Sequence, residues 1–226
     1  MSIYNRAYQK RGLMGTHFDR DYSQATKTTL IGYCDSAPNP RLLDLGTGDG
    51  DLWEFVGDNR ERHGIDLSAV GLKAATTRFS GVHGVVGVAE HLPYPAGYFG
   101  AVVAADTLEH VIDLAASLEE IRRVITSDGV LAFSVPAPNS LRKWGYNNFV
   151  RQRPQLGKAV RLVGVVLKRM MMFGRPDFQP IDRDLDLDAW ERELHAAGFA
   201  VQKRVEWPAE PLVPIVYLMS ARVSGP

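Results

Sequence analysis

Arg41-Leu42-Leu43-Asp44-Leu45-Gly46-Thr47-Gly48-Asp49-Gly50 is the stretch that decides how this chain reads. Its first half is a short apolar run that suits a buried strand, and its second half sets three glycines at alternate positions ahead of Leu52 and Trp53. A strand that ends in such a turn and opens a helix builds the ligand crevice of an open α/β sheet. The glycines admit backbone angles closed to other residues and let a ligand approach the main chain. The dinucleotide pattern G-x-G-x-x-G is not met. Counted from Gly46, the third glycine comes one residue early, at Gly50, and Asp51 stands where it is required.

Charge excludes more than spacing does. A helix N-terminus favours anions, but Asp44 and Asp49 would repel a pyrophosphate there, so the expected ligand carries positive charge. Asp66, in His63-Gly64-Ile65-Asp66-Leu67-Ser68, follows the turn by about 20 positions, where an acidic residue accepts hydrogen bonds from ribose hydroxyls. Two carboxylates thus bracket one nucleoside.

Outward from this centre, strand-like runs near 41–45, 62–66, 83–87, 101–105 and 129–135 alternate with helical spacing over 50–57, 69–79 and 113–126. That alternation predicts βαβ units and a largely parallel sheet. Ser68 is placed to cap the helix from Ala69. Leu187 to Ala197 reads as a helix stopped by Gly198, followed by strands over 199–205 and 214–222 that form a closing hairpin. The expectation is one α/β domain over 41–226 with a seven-stranded, mostly parallel sheet and an antiparallel last strand. Residues 1–40 are expected to form a helical lid, and 137–180 a helical insertion after the fifth strand.

The 226 residues, 45% apolar with 26 basic against 26 acidic, describe an ordinary globular chain and name no partner by charge. Cys34 is the single cysteine, which excludes an intrachain disulfide and points to a reducing compartment, the cytoplasm. Met1 to Arg20 lacks the pattern of an export signal. Val160 to Phe173, broken by Arg161, Lys168 and Arg169, falls short of the roughly 20 apolar residues that cross a bilayer. Residues 129–176 hold nine Lys or Arg and no Asp or Glu. Lys158, Arg161, Lys168 and Arg169 fall near one helical face, and three readings stay open: a helix packed on the domain, a cap selecting an anionic or apolar substrate, or a contact of 155–173 with anionic membrane. Arg142-Lys143-Trp144-Gly145-Tyr146 could stack on RNA, but no RNA-binding module accompanies it, so nucleic acid is disfavoured. Met170-Met171-Met172-Phe173 suits a pocket wall or core.

From about Arg41 to Val223 the sequence resembles the class I S-adenosylmethionine-dependent methyltransferases. Besides Asp44 to Gly50 and Asp66, Ala89-Glu90-His91-Leu92-Pro93-Tyr94-Pro95 looks like the family's adenine loop. Asp106-Thr107-Leu108-Glu109-His110-Val111 looks like its motif after the fourth strand, and Arg123 to Pro136 like its fifth-strand region. The resemblance implies a Rossmann-like fold and a cofactor, S-adenosylmethionine, whose sulfonium and α-ammonium meet the charge argument above. It implies cofactor contacts from Asp44, Gly46, Thr47, Gly48, Gly50, Asp66, Leu67, Ala89, Glu90, Ala105 and Asp106. His110 is the candidate base, and His17 and Tyr22 are candidate substrate contacts.

Two departures stand out: Val88 replaces the acid usual before Ala-Glu, and Phe99-Gly100 replaces the usual Phe-Asp. Asp106, Glu109 and His110 are similar to a pattern in metal-dependent O-methyltransferases, but no fourth ligand is evident and a metal is not expected. The implied reaction passes a methyl group to an O, N or C nucleophile of a small molecule and leaves S-adenosylhomocysteine. The rival readings are a methyltransferase-like scaffold without catalysis and, against the glycine spacing, a nicotinamide oxidoreductase. A homodimer stays open.

Overall fold

The computed structural model describes residues 20–137, 183, 185–207 and 216–224. Seven strands form one sheet: β1 Arg41–Leu45, β2 Glu61–Asp66, β3 Val82–Val86, β4 Phe99–Ala105, β5 Ile125–Pro136, β6 Phe199–Trp207 and β7 Val216–Val223. Their order is β3-β2-β1-β4-β5-β7-β6, and β7 alone runs antiparallel to its neighbours. This is the Rossmann-like methyltransferase architecture expected, with the last strand inserted between β5 and β6. The chain moves outward from β1 to β3 and then returns to lay β4 on the other side of β1. That reversal is a switch point, and the loops after β1 and β4 open a crevice there.

Strand alternation divides the core into two. In β1, Leu43 and Leu45 face one layer while Leu42 faces the other. The first layer is closed by α3 Leu114–Val124, which buries Leu114, Leu118, Ile121 and Val124, and by α4 Leu187–Ala196, which buries Trp190 and Leu194. The second is closed by α1 Arg20–Cys34, which brings Leu30 and Cys34 against Leu42, Ala101, Val103 and Ala132. The later part of the 1–40 segment therefore packs on the sheet. The part of the expected lid before residue 20 lies outside the described residues, as does the 137–180 insertion beyond Ala137.

Capping follows the sequence closely. Ser68 Oγ accepts the Gly71 N–H at the start of α2 Ala69–Arg78, Asp113 caps α3, and Asp186 caps α4. Gly198, at φ 80°, ends α4.

Two boundaries differ from expectation. The first crossover, expected as a helix over 50–57, is only a 3-10 turn, Asp51–Phe55. Val56 is extended, and the Trp53 indole is drawn back to Thr47 instead of continuing a helical face. β5 begins at Ile125, not 129, because Ile125 pairs with Phe99 ahead of a register shift. The shift passes where Gly100 and Gly129 meet: a Cβ on Gly129 would lie 2.8 Å from the Gly100 carbonyl oxygen. A Cβ on Gly100 would run into the Asn39 backbone, which explains why no aspartate follows Phe99.

Candidate functional site

After β1 the backbone turns through Gly46, Gly48 and Gly50, at φ 81°, 53° and 86°. These angles suit glycine, and side chains would not fit at two of the three. A Cβ at Gly46 would lie 2.7 Å from Thr107 Cγ2, and one at Gly50 would lie 2.9 Å from Trp53 Cδ1. Thr107 comes from the loop after β4, so the two loops of the switch point are packed against each other.

A chain of hydrogen bonds sets the floor of the turn. Trp53 Nε1 donates to Thr47 Oγ1 at 3.0 Å, and Thr47 Oγ1 donates to Asp44 Oδ2 at 2.6 Å. Asp44 is buried, and burial pushes its carboxyl up to about 7, although the Thr47 hydrogen bond opposes the rise. The neighbouring charge of Asp66 raises it further, while Lys27 lowers it.

Asp66, at the end of β2, is half-buried. Its Oδ2 accepts the Gly48 N–H at 2.9 Å and its Oδ1 accepts the Ser68 N–H at 2.7 Å. A carboxylate has about four lone-pair positions, so each oxygen keeps capacity for a ligand hydroxyl. Burial raises its pKa against the two main-chain donors.

The loop after β4 supplies a third carboxylate. Asp106 holds φ 50°, the one positive value outside glycine among the described residues, and such strain gathers at functional sites. Ser134 at the end of β5 fixes it: the Ser134 hydroxyl donates to Asp106 Oδ1 at 2.8 Å, and the Asp106 N–H donates to the Ser134 carbonyl at 3.1 Å. Asp106 is open to solvent, yet the protein around it raises its pKa. A group that water can reach but protein surrounds belongs on the wall of a crevice.

Asp44, Asp66 and Asp106 thus converge from three strand ends, each raised by desolvation, and such a site favours a cation. Lys27 of α1 is the compensating charge: it lies 3.6 Å from Asp51 and lowers Asp44, Asp49 and Asp106. The groove lined by Tyr33, Lys203 and Arg222 lies beside Val130, away from these strand ends.

A family model described as a methyltransferase domain matches residues 43–133. The ubiquinone/menaquinone biosynthesis C-methyltransferase UbiE of Coxiella burnetii is 30% identical over 172 residues, covering 70% of this chain and 68% of its own. This chain belongs to the class I S-adenosylmethionine-dependent methyltransferase family. Solved structures agree on the fold of the methyltransferase. An S-adenosylmethionine-dependent methyltransferase from Mesorhizobium loti superposes with a TM-score of 0.63 at 16% identity, covering 86% of this chain and 95% of that one. The Burkholderia thailandensis 1,6-didemethyltoxoflavin-N1-methyltransferase, bound to 1,6-didemethyltoxoflavin and S-adenosylhomocysteine, gives 0.63 at 15%, covering 91% and 82%.

The methyltransferase's own residues fit that cofactor. Gly46, at the head of the turn, leaves its main chain exposed to approach, and the carboxylates suit a sulfonium and an ammonium. Leu67, Val86 and Val88 are exposed apolar side chains on the neighbouring ends of β2 and β3, a surface for a flat base. Ala89 is buried beside them.

Glu90 has a structural role: its Oε1 accepts the N–H groups of Ile112 at 2.7 Å and Asp113 at 3.2 Å, fastening the start of α3. Ala105 ends β4 at the crevice, and its carbonyl accepts the Thr107 hydroxyl at 3.1 Å. His110 closes a 3-10 turn, Leu108–His110, half-buried, with Nε2 3.5 Å from Oε1 of the fully buried Glu109. His17 lies outside the described residues; Tyr22 falls within α1, but its side chain is likewise outside them.

Three supporting residues escaped the sequence reading. Ser134 and Lys27 are named above, and Arg183 is the third. Its N–H donates to the Glu109 carbonyl at 3.0 Å and its guanidinium to the carbonyls of Val111 and Ile112, pinning the loop that carries His110. Each lies far in sequence from the residue it serves, so spacing gives no signal. Ser134 at a strand's C-terminal end was the most findable, since that edge faces the crevice.

Proposed function

We propose that this methyltransferase methylates an apolar small molecule that becomes anionic on losing a proton, such as a phenol or enol, at carbon or oxygen. Ile112 carries the acceptor reading: it is 78% exposed, two residues beyond His110, on the loop that Arg183 holds at the mouth of the crevice. The name of the Coxiella relative, a C-methyltransferase of quinone biosynthesis, supports the same class of acceptor.

When bound, S-adenosylmethionine supplies an electrophilic methyl on sulfur. Asp44, Asp66 and Asp106 would hold the cationic nucleoside, and Glu109, 3.5 Å from His110 Nε2, would steady that ring toward the acceptor's proton. Nδ1 of His110, the ring nitrogen that does not face Glu109, would take that proton, so that the acceptor's electron pair could displace the methyl group from sulfur with S-adenosylhomocysteine as the leaving group. Catalysis rests on orientation, which reaches effective molarities of about 10⁵ M, and on proton removal. The cytoplasm suits such an enzyme, and Cys34, buried with its thiol pushed up to about 12, is inert there. For 155–173, which lie outside the described residues, we propose a role toward the acceptor, as a cap or an anionic-membrane contact.

The test is incubation with methyl-labelled cofactor and the organic-soluble fraction of a cell extract. Label in an apolar small molecule whose unmethylated form is ionisable supports the reading. Label confined to protein or nucleic acid, or none transferred, contradicts it.

A further inference from the structure

The cofactor crevice occupies the C-terminal ends of the strands, and a second chemical cluster lies lower on the same sheet. His63 in β2 and His83 in β3 are direct partners in the parallel register, so their side chains leave the same face of strands about 4.8 Å apart. Glu61 is two residues before His63 and therefore shares that face. The sheet thus gathers two imidazoles and a carboxylate, and one ligand-type atom from each lies within 4.8 Å of the others.

The cluster is ordered rather than a chance of surface side chains. His63 is buried, its ring held at 4.9 Å from that of His83 and edge-on to Phe99, Tyr98 and Tyr94 at 5.2, 5.6 and 5.8 Å. Glu61 divides its oxygens: Oε1 lies 2.9 Å from His63 Nε2, and Oε2 accepts Arg41 Nε–H at 3.1 Å. Arg41 in turn rests over the Tyr98 ring at 4.4 Å. A ligating carboxylate steadied through its second oxygen is the arrangement that outer-shell partners give metal sites.

We propose that Glu61, His63 and His83 form a binding site for a divalent transition ion, zinc by its ligand set, that ties the edge strand β3 to β2. Two imidazoles and one carboxylate with an open position form a known zinc donor set, and the ligand distances are about 2.0–2.2 Å. Tetrahedral ligand atoms then stand roughly 3.4 Å apart. Closing from 4.8 Å needs only side-chain rotation of His83, which is exposed, and Glu61, which is half-exposed. The ion takes the place of the hydrogen between Nε2 and Oε1, the imidazole of His63 carrying its proton on Nδ1 instead, and Arg41 keeps Oε2. The fourth position is left to water.

The experiment uses the full chain, stripped with a chelator and dialysed. Zinc is titrated by calorimetry, and cobalt(II) by its visible absorption. The wild type is expected to take up one equivalent of zinc at this site, to give the absorption of low-coordinate cobalt, and to show a raised thermal midpoint that falls back on adding chelator. His83→Ala removes an exposed ligand and is expected to weaken zinc binding at least tenfold, with its chelated midpoint unchanged. His110→Ala is expected to bind zinc as the wild type does. No uptake by the wild type, or equal affinity in His83→Ala, overturns the proposal, as does loss of uptake in His110→Ala alone.

Discussion

Asp66 accepts the Gly48 N–H at 2.9 Å, so the carboxylate expected to meet the ribose also holds the middle of the glycine turn in place. A ligand hydroxyl that adds to the remaining lone pairs finds the carboxylate already aimed by Gly48 and Ser68.

Asp66→Ala is therefore expected to weaken S-adenosylmethionine binding by about 1–3 kcal/mol, from lost hydrogen bonds to a charged acceptor and an unpaired Gly48 N–H. Asp66→Asn keeps an acceptor for Gly48 and should lose less. Calorimetric affinities of the three proteins check the order; equal affinity in Asp66→Ala would move the ribose elsewhere.

The raised carboxyl of Asp44 gives a pH dependence with a definite sign. Burial lifts its pKa to about 7 in the folded chain from the ordinary 3.8, so between those limits the folded protein binds the extra proton. The contribution of this group to stability is thus highest at low pH and declines as pH rises through 7. A cationic ligand favours the ionised form, so the affinity for S-adenosylmethionine should rise with pH up to about 7 and then level, with proton release on binding. Asp44→Asn should flatten the profile. A wild-type affinity that falls over this range would contradict the electrostatic account.

At Gly46, φ of 81° and the nearby Thr107 side chain both oppose a Cβ. Gly46→Ala is expected to destabilise the chain by about 1–3 kcal/mol and to weaken cofactor binding. Adding Thr107→Ala should recover the part due to overlap and leave the part due to φ. Denaturant unfolding of the single and double variants separates the two; full stability in Gly46→Ala would refute the packing of the two loops.

His110 is proposed as the base, so His110→Ala should lower kcat by about 10²–10⁴ while leaving cofactor affinity unchanged. Arg183→Ala, which frees the same loop, should lower kcat as well. If His110→Ala reduced cofactor binding with little effect on turnover, its role would be structural.

Much of the fold was legible because burial writes itself into strands such as Leu42-Leu43, and capping into residues such as Ser68. The positions of Asp44 and Asp66 at strand ends were legible for the same reason, being set by local sequence. What was hidden depends on distant chain. Trp53 reaches back to Thr47, which shortens an expected helix to one turn, and Asn39 beside Gly100 removes room for an aspartate. Glu90 looked like a loop carboxylate free for the cofactor, but the N–H groups it holds belong to residues 112 and 113. His63 and His83 become neighbours only through strand register, which spacing along the chain cannot express.

The most direct measurement of the central claim is calorimetric titration of the purified chain with S-adenosylmethionine beside reduced nicotinamide dinucleotide. The account expects one equivalent of S-adenosylmethionine to bind, more weakly in Asp66→Ala, and no heat from the dinucleotide. Heat from the dinucleotide alone, or from neither, would contradict a crevice built of carboxylates for a cationic nucleoside.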